Sequence, residues 1–177
     1  MYMDGSKDIL SEMTTNLPRT TKASDAFFNN CMKRRRFVQV PKDDFVKHLE
    51  KSKHDLSQVD TDYIQGSWDW AVVKAYYSVF HAANALLIKE RGEYSKDHSC
   101  VFVALERHDL IPPDLYKELG TLHGRFSDLA AFDIIYGARK VGQYDVDRWA
   151  SISQADAERV RGFARRFLSF VEGRCYP

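Results

Sequence analysis

The sequence predicts an all-α protein, an antiparallel up-and-down bundle of four to five helices. Apolar residues recur every three or four positions through most of the chain, as on the buried face of an amphipathic helix. No two alternating segments are joined by a tight turn, so no β-hairpin is indicated. Short connections separate the periodic segments, which favours antiparallel neighbours. With 177 residues, 44% of them hydrophobic, the chain can bury one packed core.

Residues 1–40 are predicted to form an appendage to a helical bundle that spans residues 41–177. The first part of the appendage is polar and weakly periodic, so it could form a short helix, but the sequence does not fix where that helix would dock. A basic run, KRRR at 33–36, is interpreted as a solvated linker. Residues 37–40, FVQV, look extended and precede a proline.

Two helices are predicted in the first half of the bundle. The first follows Pro41 and places its apolar residues near one stripe: Phe45, Leu49, Leu56 and Val59. The second runs from Trp68 to about Arg91 and has the broadest apolar face, which is typical of a central, buried helix. Gly92 is predicted to end it.

Three further segments complete the bundle. A helix is predicted from about Lys96 to Arg107, and another begins with Pro113 in its first turn. Residues 137–148 are interpreted as a loop. The last helix starts at a capping box formed by Ser153 and Asp156.

Composition and cysteine spacing exclude several classes of protein. The formal net charge is +1, so no global field draws the chain to nucleic acid or anionic lipid. The uncharged stretch 75–88 is too short to cross a bilayer, and no membrane partner is expected. Cys31, Cys100 and Cys175 lie far apart, which predicts neither a disulfide framework nor a zinc site and favours a cytoplasmic location.

Motifs for the common catalytic chemistries are missing from the sequence. It contains no H-E-x-x-H, no paired His or Cys at metal-ligand spacing and no G-x-S-x-G elbow, so neither a metal nor another cofactor is expected. Residues 137–143, GARKVGQ, imitate a phosphate loop but end in Gln where Lys is needed. Gly66 and Ser67 lead into an aromatic helix rather than to paired aspartates, so the chain is not itself a nucleotidyltransferase.

Three segments carry a family resemblance. Residues 75–87, AYYSVFHAANALL, resemble the A-Y-Y-A-x-F-x-A-A-x-A-L-L helix of HEPN domains. Residues 97–101, DHSCV, are similar to the family's S-H-x-G-V, and residues 139–144, RKVGQY, to its R-x-x-A-D-Y. The resemblance covers roughly residues 42–172 in the family's order. The chain departs from the pattern at Asp97 and Cys100, and at positions 142 and 143.

The resemblance implies a candidate catalytic motif, R-x(4–6)-H, which many HEPN proteins use for metal-independent RNA cleavage. In that chemistry the arginine stabilises the phosphorane and the histidine moves the proton. Only His98 has an arginine at that distance upstream, Arg91. The family's pair belongs near Arg139, beyond which no histidine follows. Arg139, His98 and Arg91 are therefore the candidate catalytic residues.

Four residues are candidates for binding. Arg139 and Tyr144 lie in a predicted polar loop, where the arginine could hold a phosphate or a nearby aspartate. Tyr77 could line a groove or a dimer seam, because Tyr76 and Tyr77 point about 100° apart on a helix. His81 is either a cleft residue or a partly buried histidine bonded to a neighbouring helix.

Three functional hypotheses follow. The resemblance implies a homodimeric module of a toxin–antitoxin type that works with a separately encoded minimal nucleotidyltransferase. The second hypothesis is a metal-independent endoribonuclease that uses His98 with Arg139 or Arg91. The third is a protein that binds a nucleotide or single-stranded nucleic acid near Arg139 and Tyr144 without cleaving it.

Overall fold

A computed structural model describes residues 17–135 and 150–177. These residues form α-helices, two short strands and one 3₁₀ turn at Lys42–Asp44. In chain order the helices and strands are α1 (Thr21–Lys33), β1 (Val38–Gln39), α2 (Phe45–Ile64), α3 (Trp68–Arg91), β2 (Glu93–Tyr94), α4 (His98–Arg107), α5 (Pro113–Ile135) and α6 (Gln154–Cys175). The predicted all-α class is confirmed.

The central helix of the bundle is α3, which packs against α2, α4, α5 and α6. From residue 71 to residue 88, every side chain except Lys74, Tyr77 and His81 is buried. Within the described residues, α3 alone is long and apolar enough to span a bilayer, and 83% of that stretch lies inside the bundle. Its hydrophobicity is therefore used to build the core.

Side-chain contacts fix the directions of the neighbouring helices. Ser52 meets Ser78, and Asp62 meets Lys74, so α2 runs antiparallel to α3. Asn84 bonds the backbone of Ser95, and farther back along α3 Tyr76 lies against Phe102, so α4 also runs antiparallel to it. These pairings agree with the antiparallel neighbours expected from short connections.

Three of the predicted helix ends are found where the local sequence places them. Gly92 ends α3 in the left-handed conformation, with φ of 67°. Pro113 begins α5. Ser153 and Asp156 form the capping box of α6. The helix expected from about Lys96 starts at His98 instead, because the Asp97 side chain caps it by accepting a hydrogen bond from the Cys100 backbone.

The extended segment before Pro41 pairs with the chain that follows α3. Val38 lies opposite Tyr94 and Gln39 opposite Glu93 in an antiparallel ladder. The two strands are far apart in sequence, so this pairing has no hairpin signal. It ties the N-terminal segment to the junction between α3 and α4.

Helix α1 of the N-terminal appendage packs against α4. A disulfide joins Cys31 to Cys100, with their Cα atoms 5.9 Å apart. Asp25 and Arg107 form an ion pair, and the Tyr116 hydroxyl donates to the Pro18 carbonyl. The expectation that the cysteines form no disulfide is wrong for this pair, because spacing of 69 residues cannot reveal that α1 folds back onto α4.

Candidate functional site

One narrow strip of the central helix reaches the surface. Lys74, Tyr77 and His81 are half-buried and lie three and four residues apart, so they share one face of α3. We call these three residues the α3 strip. Tyr76, by contrast, is only 2% exposed. The two adjacent tyrosines differ in exposure, and Tyr77 is the one that faces outward, but both rings lie beside His98, with centroids 5.3 and 6.1 Å from it.

Helix α2 borders the strip with charged and imidazole groups. Lys74 pairs with Asp62 at 2.6 Å, and His81 Nε2 lies 3.9 Å from an Asp55 carboxylate oxygen. The His48 ring centroid is 5.8 Å from that of His81. The other Asp55 oxygen accepts a hydrogen bond from Lys51. His81 is thus a partly buried histidine beside α2, and as part of the strip it stays partly exposed.

Helix α4 borders the strip with His98. The His98 ring packs against Phe80, with centroids 4.0 Å apart, and lies edge-on to Tyr77 at 6.1 Å. His98 Nδ1 is 3.1 Å from the Tyr76 hydroxyl. Packing against Phe80 and the contact with the Tyr76 hydroxyl therefore fix the position of the His98 imidazole.

Burial keeps these imidazoles neutral. It lowers the pKa of His81 to about 4, against the opposing pull of Asp55. It also lowers the pKa of His98 to about 4, and the nearby His123 acts in the same direction. The pKa of His48 is lowered for the same reason. Near neutral pH the site presents uncharged rings that can stack or hydrogen-bond, without the charge that would attract a phosphate.

The structure does not bring the sequence-predicted pair of Arg91 and His98 together. His98 lies against Phe80, whereas Arg91 is exposed at the end of α3, about 16 Å farther along the helix axis. The neighbour on which Arg91 acts is His108, whose pKa is lowered by burial and then by the Arg91 charge. Arg139 and Tyr144 lie outside the described residues.

A buried chain of hydrogen bonds beneath the strip has no signal in the sequence. Tyr76 bonds both His98 and His123, and Ser99 bonds the far nitrogen of His123 at 2.9 Å. His123 comes from α5, and no local motif could place it beside Tyr76. Within the described ranges, no group of His, Cys, Asp and Glu side chains is arranged to hold a metal ion.

Comparison with known proteins identifies the architecture. The model of the HEPN domain family matches residues 45–174, from the start of α2 to the last turn of α6. The match covers most of the chain and leaves α1 outside it. No curated protein matches the chain.

Proposed function

This chain belongs to the HEPN domain family, generally a family of nucleotide- or RNA-related modules, and from this membership we propose that it is a binding member rather than an RNA-cleaving one. Its ligand in this proposal is a nucleotide or single-stranded RNA. The observation that carries the proposal is the position of His98. Its ring packs against Phe80 and bonds Tyr76, about 16 Å along α3 from Arg91, and this separation supports a role without cleavage.

The α3 strip supports a binding role. Tyr77 offers a half-buried aromatic ring, and His81 offers a neutral imidazole one turn away. Bases stack on such rings whatever their sequence, which is how many proteins hold single strands. Lys74 stands at the edge of the strip, where its ammonium group could exchange Asp62 for a phosphate.

The proposal extends to partners. We propose that the module forms a homodimer and works with a separately encoded nucleotidyltransferase-type protein in a toxin–antitoxin pair. Support comes from the resemblance of residues 75–87 and 97–101 to HEPN domains of that kind. Light scattering on the purified protein would give twice the 20.5 kDa chain mass for a dimer. A monomer at all concentrations would contradict this part of the proposal.

Binding is tested with the Tyr77→Ala variant. We expect it to weaken binding of a labelled single-stranded RNA about 10-fold, since base stacking on an aromatic ring contributes roughly 1–3 kcal/mol. The matched control is Tyr63→Ala, because Tyr63 is half-buried on α2 but packs under Arg161 of α6. Equal affinity for wild type and Tyr77→Ala would contradict binding at the strip.

Cleavage is tested in the same preparation. The RNA pool is incubated in EDTA with wild type and with Arg91→Ala, His98→Ala and Arg139→Ala, each checked for folding by circular dichroism. We expect intact RNA in every sample. If wild type cuts and one variant does not, the metal-independent endoribonuclease replaces the binding module, and the inactive variant identifies its site.

A further inference from the structure

Ser99 and His123 form a hydroxyl–imidazole pair that the proposed binding function does not use. Ser99 Oγ lies 2.9 Å from His123 Nε2, within reach for direct proton transfer. His123 is only 4% exposed, whereas Ser99 is half-buried. If Ser99 attacks a small molecule, its hydroxyl is therefore already hydrogen-bonded to a base.

A third group orients the base. The Tyr76 hydroxyl lies 2.7 Å from His123 Nδ1, the nitrogen that faces away from Ser99. Tyr76 in turn lies 3.1 Å from His98 Nδ1. Each member of this chain can donate to the next, in the order Ser99, His123, Tyr76 and His98.

That order of donation requires His98 to accept a hydrogen bond at Nδ1. Burial lowers the pKa of His98 to about 4, so its ring is neutral and one nitrogen is free to accept. With the proton of His123 on Nδ1, its Nε2 lone pair points at Ser99. This is the arrangement of an activated serine: a nucleophile, a base and a group that orients the base.

The position of Ser99 in α4 supplies a place for a developing negative charge. It is the second residue of the helix, after the Asp97 cap. Backbone N–H groups of the first turn point out of the helix, and those of Cys100 and Val101 are already bonded to Asp97, so the N–H groups of His98 and Ser99 are the ones that can face a developing oxyanion. Asp97 caps the Cys100 N–H, which fixes the geometry of this turn.

We propose that Ser99 is a nucleophile, with His123 as its general base and Tyr76 as a positioning residue, and that its substrate is a small carboxylic ester. A carbonyl that reacts at the first turn of α4 develops a single oxyanion there, which suits the N–H groups of that turn. Ser99 and His123 lie on different helices, so the absence of a nucleophile-elbow motif does not bear on this pair.

The reaction is a two-step acyl transfer to water. Ser99 Oγ bonds to the ester carbonyl carbon while its proton passes to His123 Nε2. The bond to the alcohol oxygen then breaks, and the alcohol leaves with that proton. Water then attacks the acyl-serine carbonyl carbon and gives a proton to His123 Nε2. The bond to Ser99 Oγ breaks, His123 returns that proton to Ser99, and the carboxylic acid is released.

The test uses the full chain and a fluorophosphonate probe, which labels activated serines irreversibly. We expect peptide mass spectrometry to find the label on Ser99 and Ser99→Ala to lose it. His123→Gln should slow labelling about 100-fold, the usual contribution of a general base. The matched control is Ser57→Ala, since Ser57 is exposed and donates to the local His54 carbonyl.

The positioning role of Tyr76 has its own readout. Tyr76→Phe keeps the ring in the core but removes the hydroxyl, so the pH dependence of labelling should shift while circular dichroism stays unchanged. p-Nitrophenyl acetate then tests turnover of an ester. A wild-type protein without label on Ser99, or labelling that is indifferent to His123→Gln in folded protein, overturns the proposal.

Discussion

Two small residues let helices α2 and α3 approach each other closely. Ser52 of α2 and Ser78 of α3 are both fully buried, and their hydroxyl oxygens are 3.0 Å apart. Each hydroxyl also donates to the backbone carbonyl of the other residue, at 2.7 and 2.9 Å. The crossing therefore has room for a hydroxymethyl group on each side, and both buried hydroxyls have hydrogen-bond partners.

A larger side chain at this crossing should separate the helices. We expect Ser52→Leu to lower the free energy of unfolding by about 3 kcal/mol, since overpacking costs roughly 1–3 kcal/mol and the hydrogen bonds are lost as well. Ser52→Ala should cost about 1 kcal/mol. Urea unfolding measures both, with Ser57→Leu on the exposed face of α2 as the control. Equal stability of Ser52→Leu and wild type would show that the crossing is loosely packed.

Geometry within one helix could be predicted from the sequence, while contacts between helices could not. The difference in exposure between Tyr76, which is buried, and Tyr77, which is half-buried, follows from the 100° turn per residue. Tyr76 bonds His98 and His123, and these contacts depend on where α4 and α5 pack against α3. Residues 22 and 47 positions away carry no local signal of that contact.

At the scale of the element, the glycines that end or interrupt helices differ in their backbone conformation. Gly92 has a positive φ, and a Cβ there would lie 3.3 Å from the Val40 carbonyl oxygen. Val40 also donates its N–H to the Gly92 carbonyl at 2.9 Å. Gly173, inside α6, would place a Cβ in open space.

These two glycines should respond to alanine with opposite signs. We expect Gly92→Ala to destabilise the protein by about 1–2 kcal/mol, because the left-handed conformation and the contact with Val40 both disfavour a side chain. Gly173→Ala should stabilise it by about 0.5 kcal/mol through helix propensity. Thermal unfolding of the two variants side by side checks the signs, and a shift in the same direction would contradict this account.

Helix α1 is the element on which the sequence was least informative. It lies outside the family match, yet its Cys31 is bonded to Cys100 and both residues are buried. Its polar composition indicates an appendage, since only a minority of its side chains are buried. The packing of α1 on α4 could not be predicted from the sequence, because it rests on a few long-range contacts rather than on a periodic apolar face.

Loss of the disulfide should weaken the docking of α1. We expect Cys31→Ser to lower the free energy of unfolding by about 2–4 kcal/mol, the usual range for a disulfide that closes a long loop. Hydrogen exchange should rise in α1 more than in α3. The control is Cys175→Ser, which removes a buried free thiol from α6. Unchanged exchange in α1 would mean that the ion pair between Asp25 and Arg107 and the hydrogen bond from Tyr116 to Pro18 hold it without the disulfide.

At the scale of the whole molecule, the bundle buries several imidazoles in their neutral form. Burial lowers the pKa of His81 and His98 to about 4, and the pKa values of His48 and His108 are lowered as well. Three of these four residues lie around the α3 strip, on α2, α3 and α4. The α-helical core was predictable from periodicity, but the clustering of histidines from three helices was not, because it depends on how the helices align.

This clustering makes the stability of the fold depend on pH. The unfolded histidines titrate near pH 6.5, well above the folded values, so between about pH 6.5 and 4 the unfolded chain binds more protons. The stabilising effect of the neutral rings is therefore complete above pH 6.5 and is lost as the pH falls towards 4. Each histidine contributes a slope of up to about 1.4 kcal/mol per pH unit.

Urea unfolding at a series of pH values measures this slope. His81→Gln should reduce it by about one proton equivalent, because the replacement does not titrate and the Asp55 carboxylate keeps a polar neighbour. His54→Gln, on the exposed face of α2, is the matched surface variant. If His81→Gln and wild type lose stability equally between pH 6.5 and 4, protonation of other groups unfolds the protein, and the imidazoles at the strip are charged at no cost to the fold.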